Sequence, residues 1–378
     1  MHGRRSLAGV LAVVAVPAAV EPVAAHTGTT HAGTPHWLLF FATVAGVVVA
    51  AGGWRVLQSA DRSPRLGGGL LFGGVLLAIF GSVGLVEIQI APETTPAWTR
   101  WFPVVNAVAG VVLAVGGLVV GRLRYPERPR YAGLALLLAA WVSYPTLVPG
   151  EGLTNPLGYL LAAATPLAVG YVLATDAGDA LPAAFTDRTA KLVGGVSFVL
   201  FSVFFAFSAG TLSVNPDVGP GVPDHGFVTV HSVASPLVYW PAVEFYVPAV
   251  PLAGYVSLGT LLLVGLLGGL VAVNAALAAR QWAAAGAVDS PRGMLGAVAA
   301  SGATACCCCA PALYGAVGVL FGTAASPVYW AFMDPTSPVG GLFFAASVLA
   351  LTGSAIRASA SPACRAGVPD RDPADPVV

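Results

Sequence analysis

Residues 67–88 read GGGLLFGGVLLAIFGSVGLVEI, with Glu87 as the only charged side chain in the stretch. A bilayer core about 30 Å thick needs roughly 20 apolar residues at the helical rise, so this stretch predicts a membrane-spanning helix. Similar runs recur along the chain, separated by polar or Pro/Gly-rich breaks. We predict nine spanning helices: Trp37 to Val56, Gly67 to Ile88, Phe102 to Val120, Tyr131 to Val148, Leu157 to Leu173, Leu192 to Val214, Leu252 to Ala279, Met294 to Leu320 and Val339 to Ile356.

The composition agrees with a membrane protein. Hydrophobic residues make up 57% of the 378 residues and charged residues only 9%, and the mean hydropathy is +0.81. A soluble domain would carry more charge on its surface. The predicted fold class is therefore all-α: a polytopic integral membrane helix bundle.

The formal net charge of zero gives no field that favours nucleic acid. The expected partners are the lipid bilayer, a metal ion and other membrane proteins.

The chain divides into four predicted parts. Residues 1–25 carry Arg4 and Arg5, an apolar run and the small residues Ala24 and Ala25, which together resemble a secretory signal peptide. An outer His-containing leader follows at 26–36. The nine-helix membrane domain spans 37–357, with one long outer loop at 215–251, and a polar cytoplasmic tail covers 358–378. We see no soluble domain.

The basic residues orient the predicted helices, because Arg and Lys concentrate in short cytoplasmic connections. With the mature N-terminus outside, every basic residue of the sequence except Arg100 lies on the inner side. The inner residues beyond the signal are Arg55, Arg62, Arg65, Arg122, Arg124, Arg128, Arg130, Arg188, Lys191, Arg280, Arg292, Arg357, Arg365 and Arg371. The sequence therefore predicts a prokaryotic cell-membrane protein with a cytoplasmic C-terminus.

Pairs of glycines four residues apart predict where helices approach each other closely. Such pairs are Gly69 with Gly73, Gly117 with Gly121, and Gly318 with Gly322. They indicate a bundle and carry no information about chemistry.

Four of the five cysteines are consecutive, Cys306, Cys307, Cys308 and Cys309, and Pro311 follows shortly after. They lie about midway along the predicted eighth helix. Neighbours on a helix are about 100° apart, so at most two or three of the thiols can bind one ion. Pro311 removes the amide that would bond to the carbonyl of Cys307, which opens the helix beside the thiols. Thiolates suit soft ions such as Cu(I). The alternative is that the cysteines are small packing residues.

The stretch Cys308-Cys309-Ala310-Pro311 in an apolar helix resembles the vicinal-cysteine helix of small mercuric-ion transport proteins. In that family a Cys pair followed shortly by Pro takes a metal ion in the membrane. The resemblance covers a small part of this chain, and the family has far fewer helices and no long histidine-bearing loop. It implies that Cys308 and Cys309 receive a soft cation.

The histidines point independently to a metal ion, because all except His2 fall on the predicted outer side. Imidazole is the commonest metal ligand, and an N-terminal His26 would add its α-amino nitrogen, a strong pairing for copper. The predicted outer metal ligands are His26, His31 and His36 in the leader, and Asp224, His225 and His231 in the long loop. The alternative is that polar histidines simply lie on the wet side.

The leading hypothesis is a membrane protein that binds or transports a soft metal ion, copper first. The outer histidines collect the ion, and the cysteine run receives it. One alternative is a non-catalytic membrane subunit or assembly factor with packing cysteines. The second is an enzyme, either a thiol oxidoreductase or a copper oxidase. No haem is expected, because no histidine lies mid-helix to supply an axial ligand.

Overall fold

The computed structural model describes residues 35–57, 64–87, 95–148, 152–178, 181–182, 185, 187–214, 225–285, 306–334 and 336–359. The predicted signal peptide, nearly all of the leader and nearly all of the cytoplasmic tail lie outside these residues. So do the first half of the predicted eighth helix and part of the long outer loop.

Most of the described chain is helical. The helices are α1 (His36–Leu57), α2 (Pro64–Glu87), α3 (Phe102–Arg124), α4 (Pro129–Leu147), α5 (Pro156–Asp176), α6 (Arg188–Ser208), α7 (Leu258–Ala285), α8 (Cys306–Phe321), α9 (Ser326–Met333) and α10 (Pro338–Ser359). Within the described ranges, seven helical segments are long and apolar enough to cross a membrane: those containing α1, α2, α3, α5, α6, α7 and α10. These apolar helices indicate a lipid bilayer environment, as the sequence predicts.

The chain forms two compact units. The first comprises residues 1–97, 215–222 and 311–334, and the second comprises residues 98–214, 223–310 and 335–378. Among the described elements, the first unit contains α1, α2, α9 and most of α8. The second contains α3 to α7, α10 and all the strands.

In the first unit, α1 and α2 form a hairpin whose backbones touch at glycines. A Cβ atom added at Gly46 would overlap the backbone of Ala78, and one added at Gly74 would overlap that of Ala50. Gly53 and Gly81 meet the partner helix in the same way. These glycines recur every seven residues within each helix, so they form one stripe along the contact. Small residues allow this approach because no side chain separates the helices.

The glycine pairs predicted from the sequence had mixed outcomes. A Cβ atom added at Gly69 or Gly73 would have nothing within 4 Å, so that prediction was wrong, and the seven-residue stripe makes the contact instead. Gly117 and Gly121 do lie against the Cβ atoms of Ala135 and Ala132, which confirms the second pair as the contact between α3 and α4.

Hydrogen bonds fix the directions of the helices in the second unit. Asn106 Nδ2 on α3 donates to Thr336 O just before α10, at 2.7 Å. Asn274 Nδ2 on α7 donates to Leu351 O on α10 at 3.1 Å, and Gln281 Nε2 donates to Ala358 O at 3.2 Å. Helix α10 therefore runs parallel to both α3 and α7. Helix α4 runs antiparallel to α3.

The described part of the predicted long outer loop contributes two strands to an antiparallel sheet, which corrects the all-α prediction for this segment. The strands are β1 (Leu212–Val214), β2 (Phe227–Ala234), β3 (Tyr239–Val247) and β4 (Leu252–Ser257), in the order β1-β4-β3-β2. The sequence FVTVHSVA of β2 alternates in character with many β-branched residues, a pattern typical of a half-buried strand.

Two predicted helix ends were wrong because strands replace them. The seventh helix was predicted from Leu252 but begins at Leu258, where Ser257 and Thr260 cap it. Ser257 Oγ accepts from Thr260 N at 3.1 Å, and Thr260 Oγ1 accepts from Ser257 N at 3.0 Å. The sixth helix was predicted to Val214 but ends at Ser208, because Gly210 turns the chain with φ of 68° into β1.

The glycine stripe of the first unit gives a stability prediction. Gly74→Ala should destabilise the α1–α2 hairpin by about 1–3 kcal/mol, because the new methyl group overlaps the backbone of Ala50. Its neighbour Gly73 faces open space, so Gly73→Ala is the matched control and should leave stability unchanged. Thermal unfolding of the detergent-solubilised protein measures both, and equal melting temperatures for the two variants would contradict the packing.

Candidate functional site

The two faces of the sheet differ in environment. One face carries Trp240, Ala242, Tyr246 and Ser257, all of which are buried. The opposite face exposes valines: Val228, Val230, Val243, Val247 and Val256. Strand residues alternate between faces, so the register of the ladder determines which side chains share the covered face.

Aromatic contacts hold the covered face against the start of α5. Tyr159 Oη donates to Tyr239 O at 2.6 Å, and the Tyr159 ring meets the Trp240 ring edge-on at 5.1 Å. Trp240 Nε1 donates to Pro236 O at 3.0 Å. A Cβ atom at Gly158 would overlap Val238, so the glycine permits this close approach. The sheet is thereby anchored at the end of the second unit where α5 and α7 begin.

His231 and Glu244 form a pair on the covered face. His231 on β2 lies opposite Ala242, and Glu244 lies two residues further along β3, so the two side chains are diagonal neighbours. His231 Nδ1 lies 3.5 Å from Glu244 Oε2, with 37% of the histidine side chain and 43% of the glutamate side chain exposed. The Nδ1 atom itself is buried and makes no hydrogen bond within the described structure. The pair is therefore close but leaves a ring nitrogen unsatisfied.

Tyr255 completes the local group. It lies directly opposite Glu244 on β4, and its ring is edge-on to the His231 ring at 6.2 Å. Burial raises the pKa of Tyr255 above its ordinary value, because a desolvated phenolate is unfavourable. At neutral pH Tyr255 therefore offers a neutral hydroxyl rather than an anionic oxygen.

The arrangement can bind a cation with two protein ligands. Nitrogen and oxygen ligands lie about 2.0–2.2 Å from a tetrahedral Zn²⁺ ion, which puts two of them about 3.4 Å apart. The 3.5 Å between Nδ1 and Oε2 fits that spacing. No cluster of three or more His, Cys, Asp or Glu side chains suited to a metal ion occurs in the described ranges. Any ion here would complete its coordination with water or another ligand.

The other predicted ligands stand apart from this pair or outside the described residues. His225 is exposed just before β2, and the backbone of His36 begins α1 while its side chain is not described. His26, His31 and Asp224 lie outside the described ranges. Of the predicted ligands, His231 is the one that the described contacts bring to a carboxylate. The sequence did not identify Glu244 and Tyr255 as neighbours of His231, because their approach depends on strand register.

The backbone of the cysteine run is helical. Cys306, Cys307, Cys308 and Cys309 form the first turn of α8 as described, and Pro311 lies inside the same helix and is buried. The cysteine side chains are outside what the structure describes, so their role as ligands stays a prediction. Further along α8, Gly315 lies against Leu85 of α2, which brings this helix to the end of the α1–α2 hairpin.

The raised pKa of Tyr255 is testable by alkaline titration. The tyrosinate absorbance of wild type minus that of Tyr255→Phe should show a transition above pH 10, the ordinary value. The neutral phenol is favoured in the folded state, so this group's stabilisation is complete below pH 10 and is lost as pH rises towards the folded pKa. Tyr239→Phe, on the opposite face, controls for loss of a tyrosine from the sheet. A difference transition below pH 10 would contradict the burial.

Comparison with known proteins adds no functional assignment. No protein-family model, curated protein or solved structure matches this chain.

Proposed function

We propose that this chain is an integral membrane protein that captures a soft or borderline cation, copper first, on its outer side. The observation that carries the proposal is the His231–Glu244 pair, whose atoms Nδ1 and Oε2 are 3.5 Å apart. Affinity for divalent ions rises along the first transition series to Cu²⁺, and imidazole suits both copper and zinc.

A cation explains the pair better than a structural ion pair does. Both side chains are more than a third exposed, and an exposed ion pair contributes only about 0–1 kcal/mol to stability. The buried Nδ1 atom also lacks a hydrogen bond within the described structure, and an unsatisfied buried polar atom is costly. An ion bound between Nδ1 and Oε2 would accept one lone pair from each of these two atoms.

A site with two protein ligands suits capture and release rather than storage. The open coordination positions take water or an incoming ligand, so the ion exchanges readily. The predicted onward ligands are the thiols of Cys306 to Cys309, which the resemblance to the mercuric-ion helix also favours. Passage from one group to the other belongs to the proposal.

Nine membrane crossings are part of the proposal, and two features of the second unit support them. Helix α4 is less apolar than the seven candidate spans, yet it packs along α3 from Gly110 to Gly121 and is extensively buried. A helix shielded from lipid needs less hydropathy, so α4 is proposed as one further crossing. Helices α7 and α10 run parallel, so the segment between them must lead back to the side on which α7 begins. This favours a crossing that includes α8.

The proposed orientation puts the sheet outside the cell. Arg122, Arg128, Arg130 and Arg357 all lie at the end of the second unit opposite the sheet, where α3 and α10 end and α4 begins. Basic residues favour the cytoplasmic side. The His231–Glu244 pair then lies on the outer side of a prokaryotic cell membrane.

Cation capture is tested by titrating Cu²⁺ into the purified full-length protein by isothermal calorimetry. His231→Ala and Glu244→Gln should each weaken binding at least about tenfold, or about 1.4 kcal/mol, because each removes one of two ligands. His225→Ala, just before the same strand, is the matched control and should change affinity less than twofold. If both ligand variants bound Cu²⁺ with the affinity of wild type, the site would be refuted.

The orientation is tested by labelling intact cells with a membrane-impermeant maleimide, in a background with the five native cysteines replaced by serine. Ser232→Cys on the exposed face of β2 should be labelled from outside. Glu127→Cys in the exposed α3–α4 turn should be labelled only after permeabilisation. The reverse pattern would invert the topology and put the sheet in the cytoplasm.

The second candidate function is a non-catalytic membrane subunit or assembly factor. The exposed valines of the sheet favour it, because contiguous apolar surface outside a membrane is typical of protein contact. Failure of Cu²⁺ and Zn²⁺ to bind the wild-type protein would leave this function as the better explanation.

A further inference from the structure

An apolar groove runs along α3 in the second unit. It has a volume of about 450 Å³ and extends from Val105 to Val120 on α3, with Ala135 of α4 and Leu342 and Leu349 of α10 along its sides. Fifteen helical steps correspond to about 22 Å. A groove of this length with an almost wholly apolar lining suits an extended hydrocarbon chain.

Small residues and a polar anchor create this groove. A Cβ atom at Gly116 would have nothing within 4 Å, whereas Gly117 beside it meets Ala135. Helix α3 thus packs tightly on α4 while its next face stays open. At the Val105 end, the hydrogen bond from Asn106 to Thr336 ties α3 to the start of α10. The space between α3 and α10 is left as a trough.

Three arginines lie at the same end of the second unit as the far end of the groove. Tyr131 lines the groove and donates to Leu349 O at 2.8 Å. Its ring packs on Tyr125 at a centroid distance of 4.8 Å, and its hydroxyl lies 3.0 Å from the position of a Cβ atom added at Gly353, about one turn before Arg357 on α10. Arg122, in the last turn of α3, and Arg128, next to Pro129 at the start of α4, belong to the same end. The apolar trough therefore ends on the side of the second unit that carries these positive charges.

The arginines at this end differ in whether a carboxylate pairs with them. Arg130 pairs with Asp176 at 3.3 Å and lies over the Tyr171 ring. For Arg122, Arg128 and Arg357, the described residues provide no carboxylate within ion-pair distance, although Glu127 is exposed in the same turn. Guanidinium groups bind phosphate through paired hydrogen bonds. These three arginines are therefore available to bind an added anion.

We propose that this site binds an anionic membrane phospholipid, with one hydrocarbon chain in the groove and the phosphate headgroup at Arg122, Arg128 and Arg357. Basic pockets between membrane helices recognise such headgroups. Filling the trough also covers apolar surface that small residues leave unpacked. The inference depends on membrane insertion of the second unit and is independent of cation capture at the sheet.

Native mass spectrometry of the delipidated full-length protein tests the site, with phosphatidylglycerol or phosphatidylcholine added in detergent. Wild type should retain one phosphatidylglycerol at least about tenfold more strongly than phosphatidylcholine, a difference of about 1.4 kcal/mol. Two variants should each abolish this preference: Gly116→Leu, which fills the groove, and Arg122→Gln with Arg357→Gln, which removes headgroup charge. Val112→Trp fills the same groove and replaces Gly116→Leu if that variant fails to fold.

Matched controls separate this site from general effects. Gly195→Leu adds the same side chain at an open position on α6, away from the groove. Arg188→Gln removes one exposed charge at the start of α6. Both should retain the preference. Equal retention of the two lipids, or a preference that Gly116→Leu and Val112→Trp leave intact, would overturn the proposal.

Competition with inorganic phosphate distinguishes a lipid headgroup from free phosphate as the bound anion. Inorganic phosphate at millimolar concentration should not displace phosphatidylglycerol from wild type, because the chain contributes to binding. Complete displacement would indicate a site for free phosphate and overturn the lipid proposal. The groove variants should leave Cu²⁺ affinity unchanged, and His231→Ala should leave lipid retention unchanged, so the two proposals fail separately.

Discussion

A backbone amide within hydrocarbon has no water to bond, so it must find its partner in the same chain. This constraint governs the whole architecture. The long apolar segments satisfy it as helices, each bonding its own backbone. The four-stranded sheet occurs only where α6 has ended and before α7 begins. Its edge strands leave backbone groups unpaired by neighbours in the sheet, which suits the end of the bundle.

Packing between helices depends on backbone proximity and a few polar anchors, because lipid is as apolar as the side chains. The glycine stripe brings α1 and α2 into backbone contact in the first unit. In the second unit, the amides of Asn106 and Asn274 bond carbonyls at or near α10. These bonds are strong where water is scarce, and they fix which helices run parallel. Helix direction then determines what lies at each end.

The two ends of the second unit have opposite chemistry. One end carries the sheet, where an imidazole and a carboxylate approach on the covered face. The other carries arginines beside an apolar trough. A cation suits the first end and an anionic headgroup suits the second, because each supplies the missing opposite charge. The second unit is thus chemically asymmetric along its length.

The sequence by itself determined the helical membrane class and the approximate position of each apolar helix, because hydropathy over about 20 residues is a local property. It also placed His231 among the six candidate outer ligands. It did not determine the sheet, since strands at 227–257 are short and pair through register rather than composition. The approach of His231 to Glu244 and Tyr255, and the groove beside Gly116, were decided only by tertiary structure. Each joins residues from separate elements, and their distances depend on how those elements pack.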